Sequence, residues 1–412
     1  MVTTGPVRIL VSVEHLGITG IAVVAIENAQ ALRERGHDVF LYAIPGPFSP
    51  RATAAGLTYL GRPDVSVRPN ARSALRLRRA AAAHDVDVVH AYSLRPGLEA
   101  FAGPHLLDGT PVVLSLLHNP TRTTPAYLPR TIPVVVGRES VVPHLRAQGV
   151  RTLFVVRPAV SAERPVMPVE VEAFRQANRL GPGERVVLVM ARLDTVPELL
   201  AGIETTIAAV GSLAARDPSV RLVVLGDGSA RYEVDGWAEA VNSRTGRETV
   251  VVMSRYLVDL APAFAAADLV VAMATSALRS MVSGRPTLVT GPTGHVELPD
   301  AATMARYRAS GVFADGSGAP DVGEIGRVIG ALLDDPAAAR ALADLEAAEA
   351  TDGWGAAGAA EALERVYAEV IAANRANRRD VVTDAVASAG RYAAARAGSA
   401  ARRMKQAARS GA

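Results

Sequence analysis

Several residues able to do chemistry stand where strand-like runs give way to helical patterns. Gly17 and Gly20 separate the apolar run Val7–Val13 from a helical pattern over Ile21–Arg35. Glycine there lets the backbone approach a ligand, and the helix N-terminus beyond it favours an anion. An ordinary tight turn is the plainer reading. The spacing is not GxGxxG, so it carries no dinucleotide fingerprint. His118 follows the run Pro111–Leu117. Near pH 7 an imidazole at a strand end can donate to a hydroxyl or steady developing charge, although a lone histidine is more often structural. His90 and Ser93 end another run, and Gly226-Asp227-Gly228 closes Val220–Leu225. The latter turn lets backbone pass close to a ligand, but Asp-Gly is also a common turn. Glu14 and His15, in the first loop, cannot be separated from surface residues. The chain has no cysteine and no histidine pair at metal-ligand spacing, so no protein-held metal and no cofactor are expected.

The elements that must position these residues alternate. Strand patterns cover Val7–Val13, Asp38–Ile44, Asp87–Tyr92, Pro111–Leu117, Pro133–Val136 and Leu153–Val156, with helical patterns at Ile21–Arg35 and Ala71–His84 between them. Arg157–Val169 holds three prolines and breaks the periodicity, as a connection between domains would. A second series follows. Strands are predicted at Arg185–Met190, Val220–Leu225, Thr249–Met253, Leu269–Ala272 and Pro286–Thr290, and helices at Pro197–Arg216, Tyr232–Ser243, Leu257–Ala267, Ser276–Ser283, Val322–Leu333, Pro336–Ala350 and Ala356–Asn374. The alternation predicts an α/β chain of two Rossmann-like, doubly wound parallel-sheet domains facing each other across a cleft. The expected limits are 1–160 and 161–355, then a helix over 356–374 that crosses back to the first domain and a basic tail over 375–412. Ligands of such sheets sit beyond the carboxyl ends of the strands.

Composition agrees with two packed cores. Of 412 residues 49% are apolar but only 4% aromatic, so the cores must be aliphatic. There is no apolar run of membrane-spanning length, and the first residues lack the basic and long apolar regions of a secretory signal. A cytoplasmic setting is expected. The net charge of +3 is uneven: residues 375–412 carry +7 and the rest −4. The body therefore has no need of nucleic acid as a partner. The tail reads as a solvated, partly disordered extension, or as a weakly amphipathic helix anchored by Val381, Val382, Val386 and Tyr392 that touches anionic lipid at the inner face of the membrane. Lys405 is the only lysine, so an arginine at any one position says little about selection for guanidinium.

Six stretches in order carry a family resemblance: Arg35-Gly36-His37-Asp38-Val39, Asp87-Val88-Val89-His90-Ala91-Tyr92-Ser93, Ala191-Arg192-Leu193, Leu225-Gly226-Asp227-Gly228, Ala265-Ala266-Ala267-Asp268-Leu269 and Met281-Val282-Ser283-Gly284-Arg285-Pro286. With them the chain resembles the GT-B glycosyltransferases of the large retaining family 4, over roughly residues 7–374. The resemblance implies a nucleotide-diphosphate sugar as donor and a cell-surface glycan or glycolipid as acceptor. It places Gly17 and Gly20, with His90 and Ser93, on the acceptor side and His118 beside the reacting sugar. Arg192 would grip the donor diphosphate, for which a bidentate, permanently charged group is suited; a surface arginine is the alternative. Gly226, Asp227 and Gly228 would lie along the donor. No enzymic nucleophile stands out, in keeping with the front-face attack proposed for the family.

Two positions depart from the family pattern. Glu198 stands where a lysine is usual, and Arg279 where the second of two glutamates would bind the donor ribose. A guanidinium cannot accept from ribose hydroxyls. One repair is that Thr275 or Ser276 caps a helix whose free amides face the phosphates, with Arg279 in its first turn as the missing cation. On that expectation Arg279→Ala weakens nucleotide-sugar binding; otherwise Arg279 is a solvated helix residue. Two other functions stay open: a glycosyltransferase-like binding protein without activity, and a GT-B nucleotide-sugar epimerase.

Overall fold

The computed structural model describes residues 5–63, 70–117, 125–195, 197–253, 257–373 and 378–410. The chain divides into two units. Met1–Pro158 together with Ala359–Ala412 form the first, and Ala159–Gly358 the second.

The first unit is built on a seven-stranded sheet in the order β3-β2-β1-β4-β5-β6-β7. Its strands are β1 Arg8–His15, β2 Asp38–Ile44, β3 Thr58–Gly61, β4 Val88–Tyr92, β5 Val112–Leu116, β6 Val134–Val136 and β7 Leu153–Val155. All pairs are parallel. Continuous Val, Leu and Ile runs suit strands covered on both faces; Ile9–Val13 and all of β4 and β5 are buried. The helix Gly20–Glu34 starts where the Thr19 side chain accepts from the Ala22 N–H, and it stops at Gly36, whose φ of +94° favours glycine.

From Ala359 onward the helix Ala356–Ala373 belongs to this unit, and the Arg35-Gly36-His37 stretch holds it there. Arg35 donates to Glu364 from Nε and Nη2 at 2.6 and 2.7 Å. The Val7 N–H donates to His37 Nδ1, which leaves the ring proton on Nε2, 3.0 Å from the same carboxylate. Arg35 thereby holds the Glu364 carboxyl below its ordinary pKa.

The tail departs from a solvated, disordered extension. Arg378–Ser410 is one 33-residue helix. Val381 and Ala385 pack on the first core, Asp384 accepts from the Thr131 N–H and hydroxyl at 2.8 and 2.9 Å, Ser388 donates to the Tyr127 carbonyl, and Tyr392 meets Tyr127 edge-on. These positions recur every three or four residues and so share one face. Of the four expected anchors, Val382 and Val386 lie on the other side and are exposed.

The second unit has six strands in the order β10-β9-β8-β11-β12-β13. They are β8 Arg185–Met190, β9 Val220–Leu225, β10 Val250–Met253, β11 Leu269–Ala272, β12 Thr287–Thr290 and β13 Val296–Glu297. Only the β12–β13 pair is antiparallel. Separate apolar clusters cover the two faces. In both sheets the strand order reverses once, at β1/β4 and at β8/β11. Those two reversals are where an open α/β sheet leaves a crevice beyond its carboxyl ends.

Candidate active site

At the second sheet's reversal, the loop after β8 and the turn after β9 are sewn together by backbone. The Leu193 N–H donates to Asp227 O at 3.0 Å and the Ala230 N–H to Leu193 O at 2.7 Å. A side chain at Gly226 would overlap Ala191 O, and one at Gly228 would overlap Leu193 O. The glycines are thus required by the approach of two protein segments. Their amides are also engaged, Gly226 with Met253 O and Gly228 with Asp227 Oδ1. The turn thus shapes the loop that carries Arg192. Arg192 itself is exposed, with Nε 3.2 Å from Asp194. An exposed pair of this kind is worth at most about 1 kcal/mol, so it can yield to a diphosphate.

Across the reversal, β11 leads into the helix Ala274–Val282. Its N-cap is Met273, which makes no side-chain capping bond, and Ala274 has a φ of +51°. Thr275 and Ser276 are therefore first-turn residues, not caps. Their N–H groups belong to the set that a helix cannot satisfy internally. Arg279 lies in the last turn, on the buried face with Ala277, Leu278 and Met281. It is 7% exposed and paired with Glu163. The expected first-turn cation facing a phosphate is thus corrected. With the helix beginning at Ala274, a residue five positions further on has rotated onto the core side. Glu198 has only its backbone described, within the helix Pro197–Ala214.

The first sheet's reversal gathers Gly17, Gly20 and Ser93. The Gly17 N–H donates to His15 Nδ1 at 2.9 Å, and Gly20 opens the helix after β1. Ser93 follows β4 with a φ of +87°, strained for a residue with a Cβ, and is tied through its N–H to Ser115 O. His90 is not an acceptor-side residue. It is fully buried inside β4, with Nδ1 2.7 Å from the Tyr367 hydroxyl and Nε2 2.8 Å from the Ser115 hydroxyl. Burial pushes its pKa down to about 3. The strand runs two residues past His90, and alternation turns this side chain into the core. His118 lies outside the described residues.

Sequence reasoning missed a chain of buried charges at the same edge. Arg62, just after β3, donates to Glu99 at 2.9 Å; Arg95 reaches Glu99 at 3.3 Å and Glu14 at 3.0 Å. Arg95 and Glu99 are four apart on one helix, the only local signal available. Among the described residues no cluster of His, Asp or Glu could hold a metal ion.

Residues 18–138 match the family model described as Glycosyltransferase Family 4. No curated protein matches. Among solved structures, a glycosyltransferase from Rickettsia africae is 12% identical with a TM-score of 0.65, covering 89% of this chain and 99% of its own. Anabaena Alr3699/HepE in complex with UDP-glucose is 15% identical with a TM-score of 0.65, covering 88% and 100%. The UDP-GlcNAc 2-epimerase from Neisseria meningitidis bound to UDP-GlcNAc is 12% identical with a TM-score of 0.55, covering 88% and 100%. The fold is thus that of the GT-B class.

Proposed function

We propose that the protein is a retaining glycosyltransferase that moves a sugar from a nucleotide-diphosphate donor to a cell-surface glycan or glycolipid. The observation that carries the reading is the β8/β11 reversal, where exposed Arg192 and the uncapped first turn at Thr275 and Ser276 flank one edge. Guanidinium and helix amides together suit a diphosphate and would stabilise it as it leaves. Solved proteins of this fold hold UDP-glucose or UDP-GlcNAc. The acceptor belongs to the edge formed by Gly17, Gly20 and Ser93, with His118 beside the reacting sugar. Catalysis then rests on positioning and on leaving-group stabilisation, without an enzymic nucleophile.

Calorimetry with UDP and a panel of nucleotide sugars tests this. Binding is expected, and Arg192→Ala should weaken it roughly tenfold to a hundredfold, the worth of one or two charged hydrogen bonds. Absence of nucleotide binding by the wild type would remove the reading. Because epimerases share the fold, the recovered sugar is also analysed: a transferase releases nucleotide, whereas an epimerase returns an altered nucleotide sugar.

No helix among the described residues is long and apolar enough to cross a membrane. The basic end of the last helix, with Arg402, Arg403, Lys405 and Arg409, supports contact with anionic lipid at about 1 kcal/mol per cation. Sedimentation with phosphatidylserine vesicles should retain the full chain at low salt and release it at 0.5 M salt. Equal retention by neutral vesicles would argue against a charge-based contact.

A further inference from the structure

The buried charges of the first unit form a line with one open end. Arg62 has a side chain 0% exposed and Glu99 1%; Arg95 follows at 8%, and Glu14 ends the line at 37%. Isolating such ions from water is costly, and apolar residues of similar size would serve the core as well or better. The line is not even fully satisfied, since Arg62 Nε and Nη1 and Arg95 Nη2 are buried without a partner. Its upkeep therefore points to what it holds at the surface.

Glu14 lies at the carboxyl end of β1, one residue beyond Val13↔Tyr92, the last pair with β4. The register with β2 also shifts between Ser12 and His15, so the Glu14 backbone leaves the regular ladder at the strand reversal. Arg95 Nη1 fixes one carboxylate oxygen at 3.0 Å. An ionised carboxylate only accepts hydrogen bonds, so its complement is a pair of hydroxyl donors, and its charge disfavours an anionic group at the same point.

We infer that Glu14 is a specificity-determining residue that accepts hydrogen bonds from neighbouring hydroxyls of a neutral sugar or cyclitol, and that Arg95 is the positioning residue that aims it. The inference deepens the proposed acceptor edge and rests on that reading, but it is tested without transfer.

Saturation-transfer NMR with methyl α-glucoside and myo-inositol reads the site directly. Wild type should bind at least one of them, and Glu14→Gln should weaken that binding roughly tenfold to a hundredfold. Arg95→Met should weaken it too, yet add little in the double variant, because it acts through Glu14. Circular dichroism confirms that each variant is folded. No saturation transfer to the wild type from either probe, unchanged binding by Glu14→Gln, or capture of glucosamine in preference to both neutral probes would overturn the inference. UDP calorimetry on the same samples keeps the two readings apart. Its failure counts against the nucleotide-sugar donor, whereas polyol binding that is absent from the wild type, or unchanged in Glu14→Gln, with UDP binding intact counts against Glu14 alone.

Discussion

Arg279→Ala should destabilise the second unit by about 3–5 kcal/mol, the usual cost of stranding one member of a buried ion pair. Arg279 and Glu163 have side chains only 8% and 9% exposed. The Glu163 N–H also donates to the Ser283 hydroxyl at 3.1 Å, so the segment that begins this unit is tied to the end of the helix Ala274–Val282. Arg164 bridges Glu170 and Asp259, and Val160 bonds to the Trp354 carbonyl, which extends the same seam. Both tryptophans of the chain, Trp237 and Trp354, lie in this unit, so urea unfolding followed by their fluorescence reports it selectively. Replacing both partners, as in Glu163→Leu with Arg279→Met, should recover most of the loss, because Arg279 Nε is itself buried without a partner. UDP affinity of folded Arg279→Ala should stay within twofold of wild type. A tenfold weakening with folding intact would return Arg279 to the donor site.

Acidification should loosen the first unit through His90. In the fold this ring is neutral, with a pKa near 3 set by burial. In the unfolded chain it titrates near 6.5. Protons therefore favour the unfolded state below pH 6.5. The stabilisation is complete above that value and is lost as pH falls toward the folded pKa, at about 1.4 kcal/mol per unit. Between pH 7 and 5 the loss should be about 2 kcal/mol. His105 is buried with its pKa lowered for the same reason and adds in the same direction. Hydrogen exchange of peptides spanning β4, read at both pH values, measures the effect in this unit. His90→Gln should start from lower stability but show a shallower pH slope, with the part due to His105 remaining. An undiminished slope would place the sensitivity elsewhere.

Strands built from continuous Val and Leu runs were legible from sequence, since the signal is local. Asp38–Ile44 and Arg185–Met190 fall where their apolar patterns begin and end. The segment 94–108 is given no element from sequence, and Pro96, Gly97, Gly103 and Pro104 stand in it, yet it is helical throughout. Packing explains two of these residues: a Cβ at Gly97 would press on Leu114, and one at Gly103 would overlap Ala74 O. The misjudged site residues share a different cause. What fixes His90 is a hydroxyl 277 residues away, and what fixes Arg279 is a carboxylate 116 residues away. Neither partner leaves a trace in local spacing. The Glu14 line draws on three separate places, and only the Arg95–Glu99 spacing within one helix is local. Arg192, Thr275 and Ser276 could be proposed from sequence because position at the end of a strand is a local property.

Because Ala359–Ala412 completes the unit that Met1–Pro158 begins, the order of synthesis sets an order of assembly. The middle of the chain is contiguous and can close on the ribosome as soon as it emerges. The opening segment must wait for Glu364 and Tyr367, leaving His90 and the Arg35-Gly36-His37 corner uncovered until the helix Ala356–Ala373 has been made. A premature stop shortly before residue 359 would therefore release a well-formed middle flanked by a sticky, chaperone-dependent start.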